Sequence, residues 1–173
     1  MCEYCGCQEI TALGELTREH DEVVGLMADV RAAHATGDID AMAELARRIA
    51  AILGPHTVVE EEGLFPLLAP EFPDQVAVLR AEHRHVESVL NAAATTTPAD
   101  PSWPSTFVAV LDELRTHILK EQDGVFPAAL TTLTPTDWDT VDAVRARTGG
   151  EFVDADHALS GGLRGVHGDV GPA

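Results

Sequence analysis

The sequence predicts an all-α protein: an up-down four-helix bundle followed by a short fifth helix near the C-terminus. Three observations point that way. Aromatic residues make up only 5% of the chain while Ala and Leu are abundant, which favours helices over a β-sandwich. Apolar residues recur every three to four positions along four long stretches, the signature of one buried helical face. The chain also repeats a phrase: His56-Thr-Val-Val-Glu60-Glu-Glu-Gly63-Leu-Phe65-Pro66 returns 61 positions later (117 − 56) as His117-Ile-Leu-Lys-Glu121-Gln-Asp-Gly124-Val-Phe126-Pro127. A second echo precedes each phrase, Leu16-x2-Glu19-His20-x2-Val23 and Leu79-x2-Glu82-His83-x2-Val86, offset by 63 (83 − 20).

The first helix runs from Ile10 to about Ala35, with Leu13, Leu16, Val23, Met27 and Val30 on its apolar stripe and His20 at the place the stripe leaves open. Gly37 and Asp38 break and cap. Met42, Leu45, Ile49, Ile52, His56, Glu60 and Leu67 then mark the face of a second helix. Pro55 lies inside it and is expected to bend or interrupt it at His56, because proline lacks a backbone donor and crowds the preceding turn. Ala69-Pro-Glu-Phe-Pro73 ends that element. Asp74 can cap a third helix, whose stripe is Val76, Leu79, His83, Val86 and Leu90. Thr95 to Pro104, with three prolines, is the longest internal loop, and Ser105 can cap a fourth helix with the face Phe107, Val110, Leu114, His117, Glu121 and Val125. Thr134-Pro-Thr-Asp137 opens the fifth helix, which Gly149-Gly150 stops. The organisation is therefore a Cys-rich tail over 1–9, a bundle over 10–131, and a short helix with a Gly-rich tail over 132–173.

Size and charge narrow the function. A chain of 173 residues carries one domain with a real core and divides poorly into two. With 29 Asp and Glu against 11 Lys and Arg, a net charge of −18 repels phosphate backbones and anionic lipids, so no nucleic-acid or membrane partner is expected. No apolar run approaches a membrane span, and the N-terminus lacks a basic region followed by an apolar stretch. Cys2, Cys5 and Cys7, odd in number and crowded, do not make an extracellular disulfide framework and suit a reducing, cytoplasmic setting.

The repeated phrase carries the chemistry. Residues four apart on a helix lie one above the other, so each His-x3-Glu pair aims an imidazole and a carboxylate at the same region. One histidine on an apolar face is usually a hydrogen-bonded core residue, but four on four helices are not explained that way. Glu60 and Glu121 occupy places where the stripe calls for a hydrophobe, and a buried carboxylate must be protonated or find a cation. The plainer alternative turns both glutamates to solvent and leaves packing to Val59 and Ile118; it does not account for the repeat. Imidazole with carboxylate suits iron, manganese or zinc. If Glu60 and Glu121 bridge two octahedral ions, they fill about four of roughly twelve positions, the histidines four and a bridging oxygen two, leaving about two for a small molecule.

The series His, His-x3-Glu, His, His-x3-Glu resembles the hemerythrin-like (HHE cation-binding) family over roughly residues 10 to 131, including the Phe-Pro that closes both phrases. The resemblance implies a non-haem di-iron centre, two oxo- or hydroxo-bridged iron ions, with His20, His56, Glu60, His83, His117 and Glu121 as ligands and the two glutamates as bridges. The chain departs from the oxygen-carrying members at one place: where they have a second histidine on the third helix, it has Glu87, either a seventh ligand or a solvated surface charge. His85 lies two residues beyond His83 and is expected to face out. Glu61, Glu62 and Asp123 are near enough to orient ligand imidazoles through their second nitrogens, or form a solvated acidic face.

The expected activity is binding of, or reaction with, a small oxidant such as dioxygen, hydrogen peroxide or nitric oxide, with peroxide reduction or disproportionation as the enzymatic form. No catalytic side chains beyond the ligands are assigned. Alternatives are an oxygen, iron or redox sensor or storage module that signals through the cysteine tail to a redox partner protein, and a bundle filled structurally by zinc. Cys2, Cys5 and Cys7 form a second candidate site, binding zinc or copper with a fourth ligand from His157, His167 or a neighbouring chain, or sensing redox state, or simply forming a flexible tail.

Overall fold

The structure is a computed structural model that describes residues 11–148. All of its regular elements are helical: α1 (Thr11–Thr36), α2 (Ile39–Val58), a π-helical turn π1 (Val59–Leu64), α3 (Phe65–Leu68), α4 (Pro73–Asn91), α5 (Trp103–Lys120), a second π turn π2 (Glu121–Val125), α6 (Phe126–Thr132) and α7 (Pro135–Thr148). Because α2, π1 and α3 run on without a break, as do α5, π2 and α6, they make four rods plus α7. The helical bundle with a fifth helix is what the stripes predict. The Cys-rich segment and the Gly-rich C-terminal tail lie outside the described residues.

Local chemistry sets the joints. Gly37 ends α1 in the left-handed region at φ 72°, which glycine adopts without steric cost, and Asp38 accepts a hydrogen bond from the Ala41 amide at 3.0 Å to cap α2. So short a turn folds α2 back along α1. α4 begins at Pro73, one residue before the expected cap Asp74, and α5 at Trp103, ahead of Ser105, because a proline in each first turn needs no donor. Thr134 and Asp137 form a reciprocal cap for α7: the Thr134 amide donates to Asp137 Oδ2 at 2.8 Å and the Asp137 amide to Thr134 Oγ1 at 3.4 Å.

α1 packs on α2 and α5, and α4 on the same two helices, closing a four-cornered bundle. Its interior is two apolar clusters. One holds Val23, Met27, Met42, Ile49, Phe107 and Leu111; the other holds Leu13, Leu16, Phe65, Phe126 and the α7 residues Trp138, Val141 and Val144. Each fully buried large side chain contributes roughly 1.5–3 kcal/mol. Between the clusters lies a polar layer: His20, His56, Glu60, His83, His117 and Glu121, all buried. Two greasy plugs above and below give this layer its dry surroundings.

α2 is continuous through Pro55, so the interruption expected at His56 falls instead at Val59–Leu64. The Phe65 amide donates to the Glu60 carbonyl and the Phe126 amide to the Glu121 carbonyl, both five residues back, the spacing of a π turn. The following Pro66 and Pro127 have no N–H to offer. Pro66 leaves the Glu61 carbonyl without its donor five residues on, and Arg80 Nη2 takes that place at 2.7 Å. The repeated Phe-Pro is thus tied to the backbone widening that starts beside each buried glutamate.

Candidate metal centre

Each rod brings one imidazole to the polar layer, and the second and fourth rods each add a carboxylate from the start of a π turn. His20 Nε2 lies 3.2 Å from Glu121 Oε2, and His56 and His83 Nε2 each lie 3.4 Å from Glu60 Oε2. His117 Nε2 is 2.9 Å from Glu121 Oε1, and His83 Nε2 is 3.7 Å from that same oxygen. The residues therefore form two overlapping groups, His20-His56-Glu60-Glu121 and Glu60-His83-His117-Glu121, in each of which one ligand atom per residue lies within 4.8 Å of the rest. Both carboxylates belong to both groups.

Glu60 and Glu121 are 0% exposed, as is Val59, while Ile118 is 1% exposed, so the alternative that turned the glutamates to solvent is wrong: all four face inward. Among the described residues, none of the four glutamate oxygens makes a hydrogen bond of acceptable geometry. Burying an unsatisfied carboxylate costs several kcal/mol, so two of them side by side call for positive charge.

The outer nitrogens settle how the rings are held. His56 Nδ1 donates to Glu19 Oε2 at 2.8 Å, His83 Nδ1 to Glu61 Oε1 at 3.0 Å, and His117 Nδ1 to Glu82 Oε2 at 2.8 Å. A carboxylate can only accept, so a proton is on Nδ1, and each ring in its neutral form turns a lone pair inward from Nε2. Two such nitrogens, on His83 and His117, stand 2.9 Å apart, which requires a proton or a cation between them. Without a metal, protons serve. Burial pulls His56 down, but the Glu60 charge, the hydrogen bond to Glu19 and the nearby Glu60 oxygen outweigh it and raise the pKa to about 10. His83 likewise rises to about 10 against its own burial, through the nearby carboxylates of Glu121 and Glu60. Burial pushes Glu60 up, as does the Glu121 charge, yet the His56 charge and the nearby imidazoles hold it at about 2.

Of the three acids expected to orient imidazoles, Glu61 does so; Glu62 is exposed and lies 3.4 Å from Arg147, and Asp123 is exposed. Glu19 and Glu82 were not singled out, although the echo Leu-x2-Glu-His-x2-Val contains both. The residue before an inward histidine points about 100° around the helix, towards the neighbouring rod. Gln122 is the repeat's counterpart of Glu61 (122 − 61 = 61), and His20 Nδ1, the fourth outer nitrogen, has no hydrogen-bond partner among the described residues.

A cavity of about 350 Å³ reaches the four imidazoles from the gap between α2 and α4, where the exposed Gly54, Glu87 and Asn91 lie along it and Leu53, Val86 and Leu114 form its apolar wall. Glu87 is in neither group of four. His85 is 52% exposed and 3.5 Å from Glu113, facing away from the layer as expected. Cys2, Cys5, Cys7, His157 and His167 lie outside the described residues.

No helix among the described residues is long and apolar enough to cross a membrane. A family model, the hemerythrin HHE cation binding domain, matches residues 11–129. No curated protein and no solved structure matches the chain.

Proposed function

The chain belongs to the hemerythrin HHE cation-binding domain family, and on that premise we propose that its buried His and Glu layer holds two iron ions and that the protein binds or reacts with a small oxidant: dioxygen, hydrogen peroxide or nitric oxide. The observation that carries the reading is the sharing of Glu60 and Glu121 between two groups of four ligand-type residues. The donor set supports it: Nε2 lone pairs on His56, His83 and His117, the inward-facing His20 ring and four unpartnered carboxylate oxygens suit a borderline divalent cation better than water or protons. Iron bound there supplies reversible one-electron chemistry and coordination positions that the protein leaves open. His20 and His56 would hold one ion, His83 and His117 the other.

The chain's own residues do the rest. Glu19, Glu61 and Glu82 fix ring orientation and keep Nε2 free for a metal. The apolar wall of the cavity admits small uncharged molecules and disfavours anionic metabolites. Glu87, exposed along the cavity, would draw cations inward or serve as a seventh ligand at an open position. In this reading the protein is cytoplasmic, and Cys2, Cys5 and Cys7 form either a zinc or copper site or a redox contact for a partner protein.

Anaerobic loading with ferrous iron, followed by absorption spectra before and after air, peroxide or nitric oxide, tests the proposal. Two irons per chain with spectral change and repeated consumption of peroxide support an oxidoreductase; reversible change with air supports an oxygen-binding or sensing role. Zinc retained on purification with no response to any of the three overturns the redox reading in favour of a structural metal.

A further inference from the structure

α7 carries an apolar stripe of Trp138, Val141 and Val144 that packs on the bundle, and the next position on that stripe is an arginine. Arg145 is only 7% exposed. Its guanidinium grips Glu19 with both prongs, Nη1 to Oε1 at 2.7 Å and Nη2 to Oε2 at 3.0 Å, and Nε lies 3.1 Å from Glu15 Oε2. Glu19 is the acceptor for His56 Nδ1, so a buried chain runs from Arg145 through Glu19 to His56 and on to Glu60.

The other imidazoles are supported differently. Glu82, behind His117, is held by Lys120, and Glu61, behind His83, lies 3.8 Å from Arg80; the lysine is 46% exposed and the arginine 35%. Those cations come from the bundle itself, whereas Arg145 lies beyond residues 11–129, the extent of the family match. A two-pronged guanidinium in a dry setting fixes a carboxylate's plane, which a mobile ammonium in water does not.

We propose that Arg145 is a positioning residue for the cation position formed by His20, His56, Glu60 and Glu121, and that α7 thereby makes the two positions unequal. By holding the Glu19 plane, Arg145 holds the His56 ring so that Nε2 faces Glu60. Without it, Glu19 is free to rotate away and His56 loses both its tautomer and its direction. The inference rests on the two-cation reading above.

The test is cobalt(II) titration of the metal-free full-length chain, followed by visible absorption. Wild-type protein is expected to take up two cobalt ions, and His56→Gln identifies the step belonging to the His20/His56 position. Arg145→Met should weaken that same step by about tenfold or more and leave the other within about threefold, as removal of a ligand-orienting partner does. Lys120→Met should leave both steps within about threefold, since an exposed pair contributes little. Thermal melts of the metal-free variants check that each is folded. If Arg145→Met does not fold, Arg145→Lys keeps the buried charge, loses the two-pronged grip, and should show the same one-step weakening. Unchanged steps, or equal weakening of both, overturn the inference while leaving the two-cation reading intact; wild-type protein that takes up no cobalt overturns both.

Discussion

Glu60 and Glu121 differ from the histidines in belonging to both groups of four, and that difference is measurable. His20→Ala leaves Glu60, His83, His117 and Glu121 in place, so metal content should fall from two ions per chain to one. Glu60→Ala should instead weaken both; one full equivalent retained in that variant would show that the carboxylate is not shared. Gly54 makes a second prediction at this scale. It lies along the cavity, and beyond its chain neighbours and its own helix a Cβ there meets nothing within 4 Å, so the cavity side has room for a side chain. Glycine inside a helix costs roughly 1 kcal/mol relative to Ala or Leu, but the ring of Pro55 disfavours a helical residue with a Cβ before it, so the two effects on stability oppose each other. Gly54→Leu is expected to slow the absorption change with nitric oxide several-fold in protein shown by thermal melt to be folded; an unchanged rate would place the entry route elsewhere. The buried imidazoles and the two central carboxylates were legible because each occupies an apolar place in a stripe. Glu19, Glu82 and Arg145 were harder to see. The glutamates sit beside a more conspicuous histidine, and the contacts that define Arg145 span 126 residues.

The repeated helical phrase behaves differently in its two copies. Sequence periodicity located the rods and the short α7, whose cap at Thr134 and Asp137 formed as expected. It did not reveal the π turns, since a stripe with a period of 3.6 is blind to one extra residue in a turn that Phe-Pro then closes. Nor did it show that Gly63 and Gly124, identical in the alignment of the phrases, face different neighbours. A Cβ on Gly63 meets Val141 Cα at 3.4 Å and Val144 Cβ at 3.5 Å, whereas one on Gly124 meets nothing within 4 Å. α7 seats on the glycine of the first copy and not on that of the second. Gly124→Ala should accordingly raise stability by about 0.5–1 kcal/mol, the ordinary gain in a helix. Gly63→Leu should lose about 1–3 kcal/mol by forcing α7 from its seat and should also weaken cation binding, because Arg145 moves with the helix. Equal effects at the two glycines, read from denaturant midpoints, would contradict the one-sided docking of α7.

For the whole molecule, protons and metal ions compete for one dry layer, and the competition sets how stability varies with pH. In the metal-free protein His56 and His83 have pKa values raised from an ordinary 6.5 to about 10, so the stability they contribute is complete below 6.5 and lost as pH climbs through 10. His117 is raised in the same direction. Glu60 runs the opposite way: depressed from an ordinary 4.5 to about 2, it contributes fully above 4.5 and loses that contribution as pH falls towards 2. Metal-free protein should thus be most stable between about pH 4.5 and 6.5, with an acid limb from the carboxylates and an alkaline limb from the imidazoles. Metal loading replaces the shared protons, so the imidazoles can be neutral at no cost and the alkaline limb should flatten. The acid limb should steepen, because ligands must then shed metal before they take up protons. Denaturant midpoints measured from pH 3 to 10 with and without metal provide the comparison. An alkaline limb that is identical in the two forms would mean that the cations do not sit among these imidazoles.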